Sequence, residues 1–218
     1  MIEFPSIKAI IFDFGRVISA QKPDALFGSY ESELGLAPGT INQIMFDSQA
    51  WQDALIGCIS ATEFWYTIGP ALGLESSRKI DEFRKRYHAD ESIDNGVLNL
   101  IRQLHGDYKL AVLSNHPPGL AQWLSDWNIF DLFDVVYCSG DEGMAKPDPA
   151  VYNLTLKRLG TLPHEAIFID DTIGHVKAAR NLGIHAILFT ESEQLKLELN
   201  RLLTAHNKGQ TKQAPRLA

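Results

Sequence analysis

The chain has 218 residues, 45% hydrophobic and 22% charged, a composition that suits one large globular domain or one domain that carries a small insert. Twenty basic and 27 acidic residues give a formal net charge of -7, which argues against nucleic acid or an anionic membrane as a partner because binding polyphosphate requires a basic face. A small anionic substrate is still compatible with this charge, since a local pocket can be positive inside an acidic protein.

Five short apolar segments predict the strands of a parallel sheet. The first, residues 8–12, is stopped by Asp13 and Gly15, which is the pattern of a buried strand that ends in a loop. Segments with helical spacing separate the other four, which lie at residues 109–113, 134–138, 166–169 and 185–189. Two-sided apolar strands that alternate with amphipathic helices predict an α/β fold with a three-layer, Rossmann-like parallel sheet core.

Residues 19–91 interrupt the alternation with a block of helical patterns. The block contains no convincing strand, and its predicted helices span residues 25–34, 38–46, 61–72 and 76–87. Ser60 and Glu63 have the spacing of a capping box at the start of the third helix. We therefore predict a small all-helical cap domain inserted after the first strand, with these bounds: core domain 1–18 and 92–206, cap domain 19–91, polar C-terminal tail 207–218.

Polar residues directly follow four of the predicted strands. In an open parallel sheet, ligands bind at the carboxyl ends of the strands, so these residues are the first candidates for chemistry. Three carboxylates, a hydroxyl and a lysine are expected to converge there, and the candidates in chain order are Asp13, Ser114, Asn115, His116, Lys146, Asp170 and Asp171.

The chemistry of this set favours phosphoryl transfer. Adjacent carboxylates repel one another unless a cation lies among them, and hard oxygen ligands suit Mg²⁺, which leaves positions for water and phosphate oxygens. A lysine and a hydroxyl beside the metal can neutralise and hold a phosphoryl group. A carboxylate can also attack phosphorus, so an aspartyl-phosphate would divide hydrolysis into two easier steps.

Four segments resemble, in order, the four motifs of the haloacid dehalogenase-like hydrolase superfamily. The resemblance covers about residues 8–190, and the block after the first motif looks like the helical type-1 cap. Residues 57–60 and 63–65 are similar to the cap of the branch that contains sugar-1-phosphate phosphatases and the phosphatase domain of soluble epoxide hydrolases. The segments are Phe12-Asp13-Phe14-Gly15, Leu113-Ser114-Asn115, Lys146-Pro147-Asp148-Pro149 and Phe168-Ile169-Asp170-Asp171.

The resemblance implies a role for each matching residue. Asp13 would be the nucleophile and a Mg²⁺ ligand, and Gly15 would offer its backbone carbonyl to the metal. Asp171 would be the second carboxylate ligand, with Asp170 in or near the metal shell. Lys146 would neutralise the nucleophile and the phosphate. The phosphoryl oxygens would be held by Ser114 and the backbone around Asn115.

The sequence also departs from the superfamily's usual pattern. Most of its phosphatases have a second aspartate two positions after the nucleophile, which protonates the leaving group and later activates water; here that position is Gly15. Arg16 stands where glycine is frequent, and Val17 replaces the usual threonine. His175 stands where Asp or Asn is usual, and it could either weaken the outer shell of the metal or position a water.

We therefore predict a Mg²⁺-dependent phosphatase of a small phosphorylated metabolite, such as a sugar phosphate, that works through an aspartyl-phosphate on Asp13. One alternative is a 2-haloacid dehalogenase-type hydrolase, although that branch lacks the aspartate pair of the fourth motif. The other is a catalytically weak binding or regulatory protein, which the absence of the acid/base aspartate at Gly15 would favour.

The remaining expectations concern location, partners and packing. The start of the sequence has no cationic leader, and no run approaches the roughly 18 apolar residues of a membrane span, so a cytoplasmic location without membrane partners is predicted. A partly apolar cap could support a homodimer. Cys58 and Cys138 are expected to be core thiols. Trp51, Phe64 and Trp65 are expected in the core of the cap rather than in a substrate pocket.

Overall fold

Five parallel strands form one sheet in the structure, a computed structural model that describes residues 6–206. All five predicted strands are confirmed to within one residue at either end, and the predicted tail at 207–218 lies outside the described residues. The spatial order is β3-β2-β1-β4-β5, with these bounds: β1 Ala9–Phe12, β2 Lys109–Ser114, β3 Val135–Cys138, β4 Ala166–Asp170, β5 His185–Leu188.

The central strand β1 explains why the sheet has two covered faces. Its four side chains are completely buried, and they alternate between the two faces because successive residues of a strand point in opposite directions. Ile10 and Phe12 belong to one hydrophobic cluster, and Ala9 and Ile11 belong to the other. The three-layer α/β architecture predicted from the apolar strands is therefore confirmed.

Eleven α-helices lie within residues 6–206. The short helix at Ser139–Glu142, α8, leads from β3 into the loop that carries Lys146. The helices are α1 Asp24–Leu34, α2 Thr40–Phe46, α3 Gln49–Leu55, α4 Ala61–Ile68, α5 Ser77–Ala89, α6 Asn95–Leu104, α7 Leu120–Asp126, α8 Ser139–Glu142, α9 Pro149–Leu159, α10 Ile173–Asn181 and α11 Ser192–His206.

Helices α1 to α5 pack around a hydrophobic cluster of their own, which includes Phe64 and Trp65. The four helices predicted in this block are present, and the capping box at the start of α4 forms as expected between Ser60 and Glu63. Helix α3 was not predicted. The predicted limits of the cap domain, 19–91, stay a prediction.

Gly57 marks a close approach between the helical block and the core. It adopts φ +71°, and a Cβ added there would lie 2.2 Å from the carbonyl oxygen of Gly140. Replacing Gly57 by Ala should therefore combine left-handed strain with a backbone clash and lower the free energy of unfolding by about 2 kcal/mol or more. Thermal unfolding measures this loss. Gly106→Ala is the matched control, because Gly106 has φ +89° but open space around it; an equal loss in both variants would contradict the clash.

The two cysteines differ in their exposure to solvent. Cys138 is buried, but Cys58 is exposed, so the prediction of a core thiol at Cys58 was wrong. It lies in the turn between α3 and α4, where the apolar neighbours that suggested burial do not enclose it.

No helix within residues 6–206 is long and apolar enough to cross a membrane. The cytoplasmic location and the homodimer stay predictions.

Candidate active site

The candidate site lies at the carboxyl end of the sheet, where β1 has β2 and β4 as neighbours. The register pairs Phe12 with Val112 on one side and with Ile169 on the other. The backbone N–H of Asp13 donates to the carbonyl of Ile169 at 2.8 Å, which continues the pairing one residue past the strand. Asp13 consequently stands next to Asp170, the last residue of β4.

Asp13 is a buried carboxylate with defined contacts. Its Oδ1 accepts a hydrogen bond from the backbone N–H of Phe14 at 2.7 Å and lies 2.9 Å from Nζ of Lys146. Among residues 6–206, no hydrogen bond engages its Oδ2, which leaves that atom available for a ligand. Burial raises the pKa of Asp13; the charge of Lys146 opposes this effect and that of Asp170 adds to it.

Lys146 is held between two carboxylates. Its side chain is fully buried, with Nζ 2.9 Å from Asp13 and 2.6 Å from Oδ2 of Asp170. Burial alone would lower the pKa of Lys146, but the two carboxylates outweigh it and raise the pKa above the ordinary value. The ammonium group is therefore charged at neutral pH, and it lies where a transferred phosphoryl group would need a positive charge.

Asp170 is occupied by protein contacts on both oxygens. Besides the contact with Lys146, its Oδ1 accepts from the backbone N–H of Thr172 at 2.7 Å, and Nδ1 of His175 lies 3.1 Å from both oxygens. Burial would raise the pKa of Asp170, but the His175 hydrogen bond and the Lys146 charge hold it below the ordinary value. His175 thus contacts Asp170 directly, and Asp170 orients Lys146 towards Asp13.

Asp171 is the more accessible of the adjacent aspartates and pairs with an arginine. Nη1 of Arg16 lies 3.2 Å from Oδ2 of Asp171, and the Arg16 side chain is 61% exposed. Arg16 adopts φ +60°, a left-handed conformation that costs a residue with a Cβ about 1–2 kcal/mol and that glycine adopts freely. This backbone conformation explains why glycine is frequent at the position.

The carboxylates fit a divalent cation. Asp13, Asp170 and Asp171 each offer one oxygen, and these oxygens lie within 4.8 Å of one another. Two ligands of one Mg²⁺ are roughly 3–4 Å apart at its usual ~2.1 Å bond length, so small movements would complete the site. Lys146 and Arg16 balance only two of the three negative charges, and a hard cation would suit the remaining oxygen-rich, negative position.

The predicted phosphate-binding residues differ in their local contacts. Asn115 and Lys146 exchange two hydrogen bonds: the Asn115 side chain donates to the Lys146 carbonyl at 2.9 Å and accepts from the Lys146 N–H at 2.7 Å. The side chain of Asn115 therefore fixes the Lys146 loop, and only its backbone remains for a phosphoryl oxygen. Ser114 is buried at the end of β2, and its hydroxyl has no hydrogen-bond partner within residues 6–206.

A cavity of about 600 Å³ adjoins these residues, with Gly15, Ser114 and Asn115 in its lining. His116, expected as easily on an exposed loop as in the site, is half-buried and also lines the cavity. Burial lowers the pKa of His116, and the ring lies edge-on to Phe14 at 5.6 Å. The sequence did not reveal this cavity, because the helical periods of the cap do not indicate which side chains face the sheet.

The sequence is similar to a known protein family and to individual proteins. The sequence profile of the haloacid dehalogenase-like hydrolases matches residues 3–183. A sesquiterpene phosphatase of Aspergillus oryzae is 30% identical over 201 residues, which cover 91% of this chain and 97% of the relative. A D-ribitol-5-phosphate phosphatase of Bacteroides thetaiotaomicron is 26% identical over 208 residues, 91% of this chain and all of that protein.

A solved structure has a similar fold. A haloacid dehalogenase family enzyme of Bacteroides thetaiotaomicron, crystallised with magnesium and inorganic phosphate, superposes with a TM-score of 0.68 at 24% identity. The match covers 85% of this chain and 96% of that enzyme. At this identity the likeness supports the arrangement of the sheet and helices.

Proposed function

This chain belongs to the haloacid dehalogenase-like hydrolase family, and we propose that it is a Mg²⁺-dependent phosphatase that hydrolyses a phosphate monoester through Asp13. The observation that carries the proposal is the buried contact of Lys146 with Asp13 and Asp170, beside Asp171. The two relatives named as phosphatases, which match along nearly their whole length, give it further support.

The proposed reaction has two steps. Oδ2 of Asp13 attacks phosphorus, the bond from phosphorus to the ester oxygen breaks, and the leaving alkoxide takes a proton from a water molecule; the hydroxide so formed takes up the proton that the attacking water loses in the second step. Water then attacks the phosphorus of the aspartyl-phosphate, which releases inorganic phosphate and regenerates the carboxylate. Lys146 neutralises charge in both steps, while Ser114 and the backbone at Asn115 hold phosphoryl oxygens.

Mg²⁺ fits the proposed site as its cofactor. Asp13, Asp171 and the backbone carbonyl of Gly15 would hold the ion, and Asp170 would stay engaged with Lys146. When bound, Mg²⁺ neutralises phosphate charge and orients the ester. Arg16 contacts Asp171, so a ligand role for Asp171 requires this exposed arginine to move aside.

Phosphate release from p-nitrophenyl phosphate, measured with Mg²⁺ and with EDTA, tests the proposal. We expect turnover with Mg²⁺ and a fall of at least about 10²-fold in EDTA, because the metal contributes several kcal/mol to stabilising the transition state. Halide release from 2-chloropropionate that is unaffected by EDTA would instead establish dehalogenase chemistry. Absence of both activities would favour the binding or regulatory alternative.

Replacing Gly15 by Asp is expected to raise the activity of the enzyme. Its φ of -65° and ψ of 124° suit any residue, and a Cβ added there would meet no atom within 4 Å. Gly15→Asp should supply the missing general acid and raise kcat/KM for an alkyl phosphate by about 10²-fold, because such catalysis typically contributes 10²–10⁴-fold. The gain should be smaller for p-nitrophenyl phosphate, whose leaving group needs no proton.

Gly15→Asn is the matched control, since Asn has the size of Asp but cannot transfer a proton at neutral pH. An equal gain in the Asn variant, or no gain with Asp despite an unchanged melting temperature, would contradict the interpretation that position 15 lacks an acid.

A further inference from the structure

The cavity beside the candidate active site has an aromatic wall that crosses from the core to the cap helices. Phe14, the residue after Asp13, starts the wall; each ring lies within 6.5 Å of the next, centroid to centroid, and Phe46 ends it. All of these side chains line the cavity. In spatial order they are Phe14, His116, Trp123, His88, Trp65, Phe64, Trp51 and Phe46.

Both cap-core packing and cavity lining therefore involve the same aromatic residues. Phe64 and Trp65 are 2% and 4% exposed and belong to the hydrophobic cluster of the cap, as the sequence predicted. Trp51 and Phe46 are only half-buried, so the open end of the wall keeps apolar surface that a ligand can cover. The prediction that Trp51, Phe64 and Trp65 lie in the core of the cap is confirmed, and the same side chains also line the cavity.

The polar residues of the lining are largely engaged with one another. The ammonium group of Lys22 pairs with Glu91 and lies 4.3 Å from the centre of the Tyr87 ring. Gln21 accepts a hydrogen bond from the Arg16 side chain at 3.3 Å, and Ser19 accepts one from the Arg16 backbone. Besides Ser114 and Asn115, these pairs leave the exposed Asp24 and Asn42 as the polar side chains of the lining that could meet the hydroxyls of a sugar, whose burial without partners is costly.

The histidines of the wall are neutral at neutral pH. Burial, together with the nearby charges of Arg84 and Lys22, lowers the pKa of His88 to about 4. Burial likewise lowers the pKa of His116. Two groups that could have offered positive charge therefore contribute uncharged ring surface, which suits an apolar ligand.

We propose that the substrate is a phosphate monoester whose organic part is an apolar chain or ring system, rather than a sugar. This inference rests on the proposed phosphatase function and names the substrate class of the same site. An apolar cavity of ~150 Å³ holds a benzene molecule, so the ~600 Å³ here gives room for roughly ten to twenty carbon atoms. The phosphate would lie at Gly15 and Ser114, and the chain would extend along the rings to Trp51.

A series of straight-chain alkyl monophosphates, from ethyl to dodecyl, tests the substrate class. With Mg²⁺ and concentrations below micelle formation, kcat/KM should rise roughly fourfold per methylene until the cavity is filled, the factor expected for burying a CH₂ group. Glucose 6-phosphate and ribose 5-phosphate should be poorer substrates than octyl phosphate by at least about 10²-fold. Equal values along the series, or a preference for the sugar phosphates, would overturn the inference.

Variants at the open end of the wall test whether the cavity causes the chain-length dependence. Trp51→Gln and Phe46→Gln should each lower the ratio of kcat/KM for decyl phosphate to that for butyl phosphate by about tenfold, the effect of losing an aromatic contact. Tyr66→Gln is the matched control on α4, since Tyr66 is exposed and outside the lining; its ratio should equal that of the wild type. Circular dichroism establishes that each variant is folded, and unchanged ratios in both folded wall variants would overturn the inference.

Different experimental outcomes would contradict the apolar substrate and the phosphatase function. Hydrolysis of p-nitrophenyl phosphate without chain-length dependence contradicts the apolar substrate and leaves the phosphatase intact. No phosphate release from any ester contradicts the phosphatase itself and the inference with it. Binding of decyl phosphate to Asp13→Asn with Mg²⁺, measured by calorimetry, should be at least about tenfold tighter than binding of butyl phosphate; equal affinities would again count against the apolar substrate.

Discussion

Replacing Asp13 by Asn is expected to lower the turnover of p-nitrophenyl phosphate by at least about 10³-fold, since removal of a nucleophile leaves only residual catalysis from binding and charge stabilisation. The amide has the shape of the carboxylate but cannot form the acyl-phosphate bond. Steady-state release of p-nitrophenol measures the loss.

The same substitution should leave the fold intact. Burial raises the pKa of Asp13; the charge of Lys146 opposes this effect and that of Asp170 adds to it, so the ionised carboxylate is costly at this position. A neutral Asn removes that cost, and the melting temperature should not fall by more than about 4 °C. Asp131→Asn, at an exposed position, is the control. Wild-type turnover in Asp13→Asn would remove Asp13 from the mechanism.

Replacing Lys146 by Met should have the second largest effect, on activity and stability together. Loss of the positive charge beside the transferred phosphoryl group should lower kcat by about 10²–10³-fold. It would also leave Asp13 and Asp170 without their shared counter-charge, and breaking a buried ion pair on one side typically costs about 3–5 kcal/mol. For a protein of this size, that corresponds to a drop of roughly 10 °C in melting temperature.

Two controls separate charge from packing at this position. Lys177→Met removes an exposed lysine and should change neither quantity. Lys146→Arg keeps the charge but replaces a compact ammonium by a planar group that does not fit between two carboxylates 2.6 and 2.9 Å away, so activity should stay low. Full activity in Lys146→Met would show that the contact is only structural.

The fold could be predicted because its strands are apolar on both faces. In segments such as 8–12 and 166–169, polar and apolar residues do not alternate. This pattern predicts a parallel sheet covered on both faces without any tertiary information. Helix α3 was missed, and Cys58 was misplaced because apolar neighbours in sequence do not establish burial in a turn.

The sequence predicted which residues form the candidate site, but it did not predict most of the hydrogen bonds and ion pairs among them. The carboxyl ends of parallel strands bring Asp13 and Asp170 together, and Lys146 follows from the motif. The Asn115 side chain binding the Lys146 loop, the Arg16 contact with Asp171, and the engagement of Asp170 by His175 all depend on loop geometry that sequence spacing does not encode. The aromatic cavity could not be predicted from the sequence for the same reason, because Trp51 and Trp123 come from different layers of the fold.

Capture of a covalent phosphoryl group on Asp13 would test directly whether this residue is the nucleophile. Because Gly15 cannot activate water, the second step should be the slower one for p-nitrophenyl phosphate, so rapid mixing should give a burst of p-nitrophenol. Acid quenching followed by trypsin releases residues 9–16, in which Asp13 is the only acidic side chain. One phosphoryl group is expected on that peptide in the wild type and none in Asp13→Asn. Linear product release from the first turnover, with this peptide unmodified in the wild type, would contradict it.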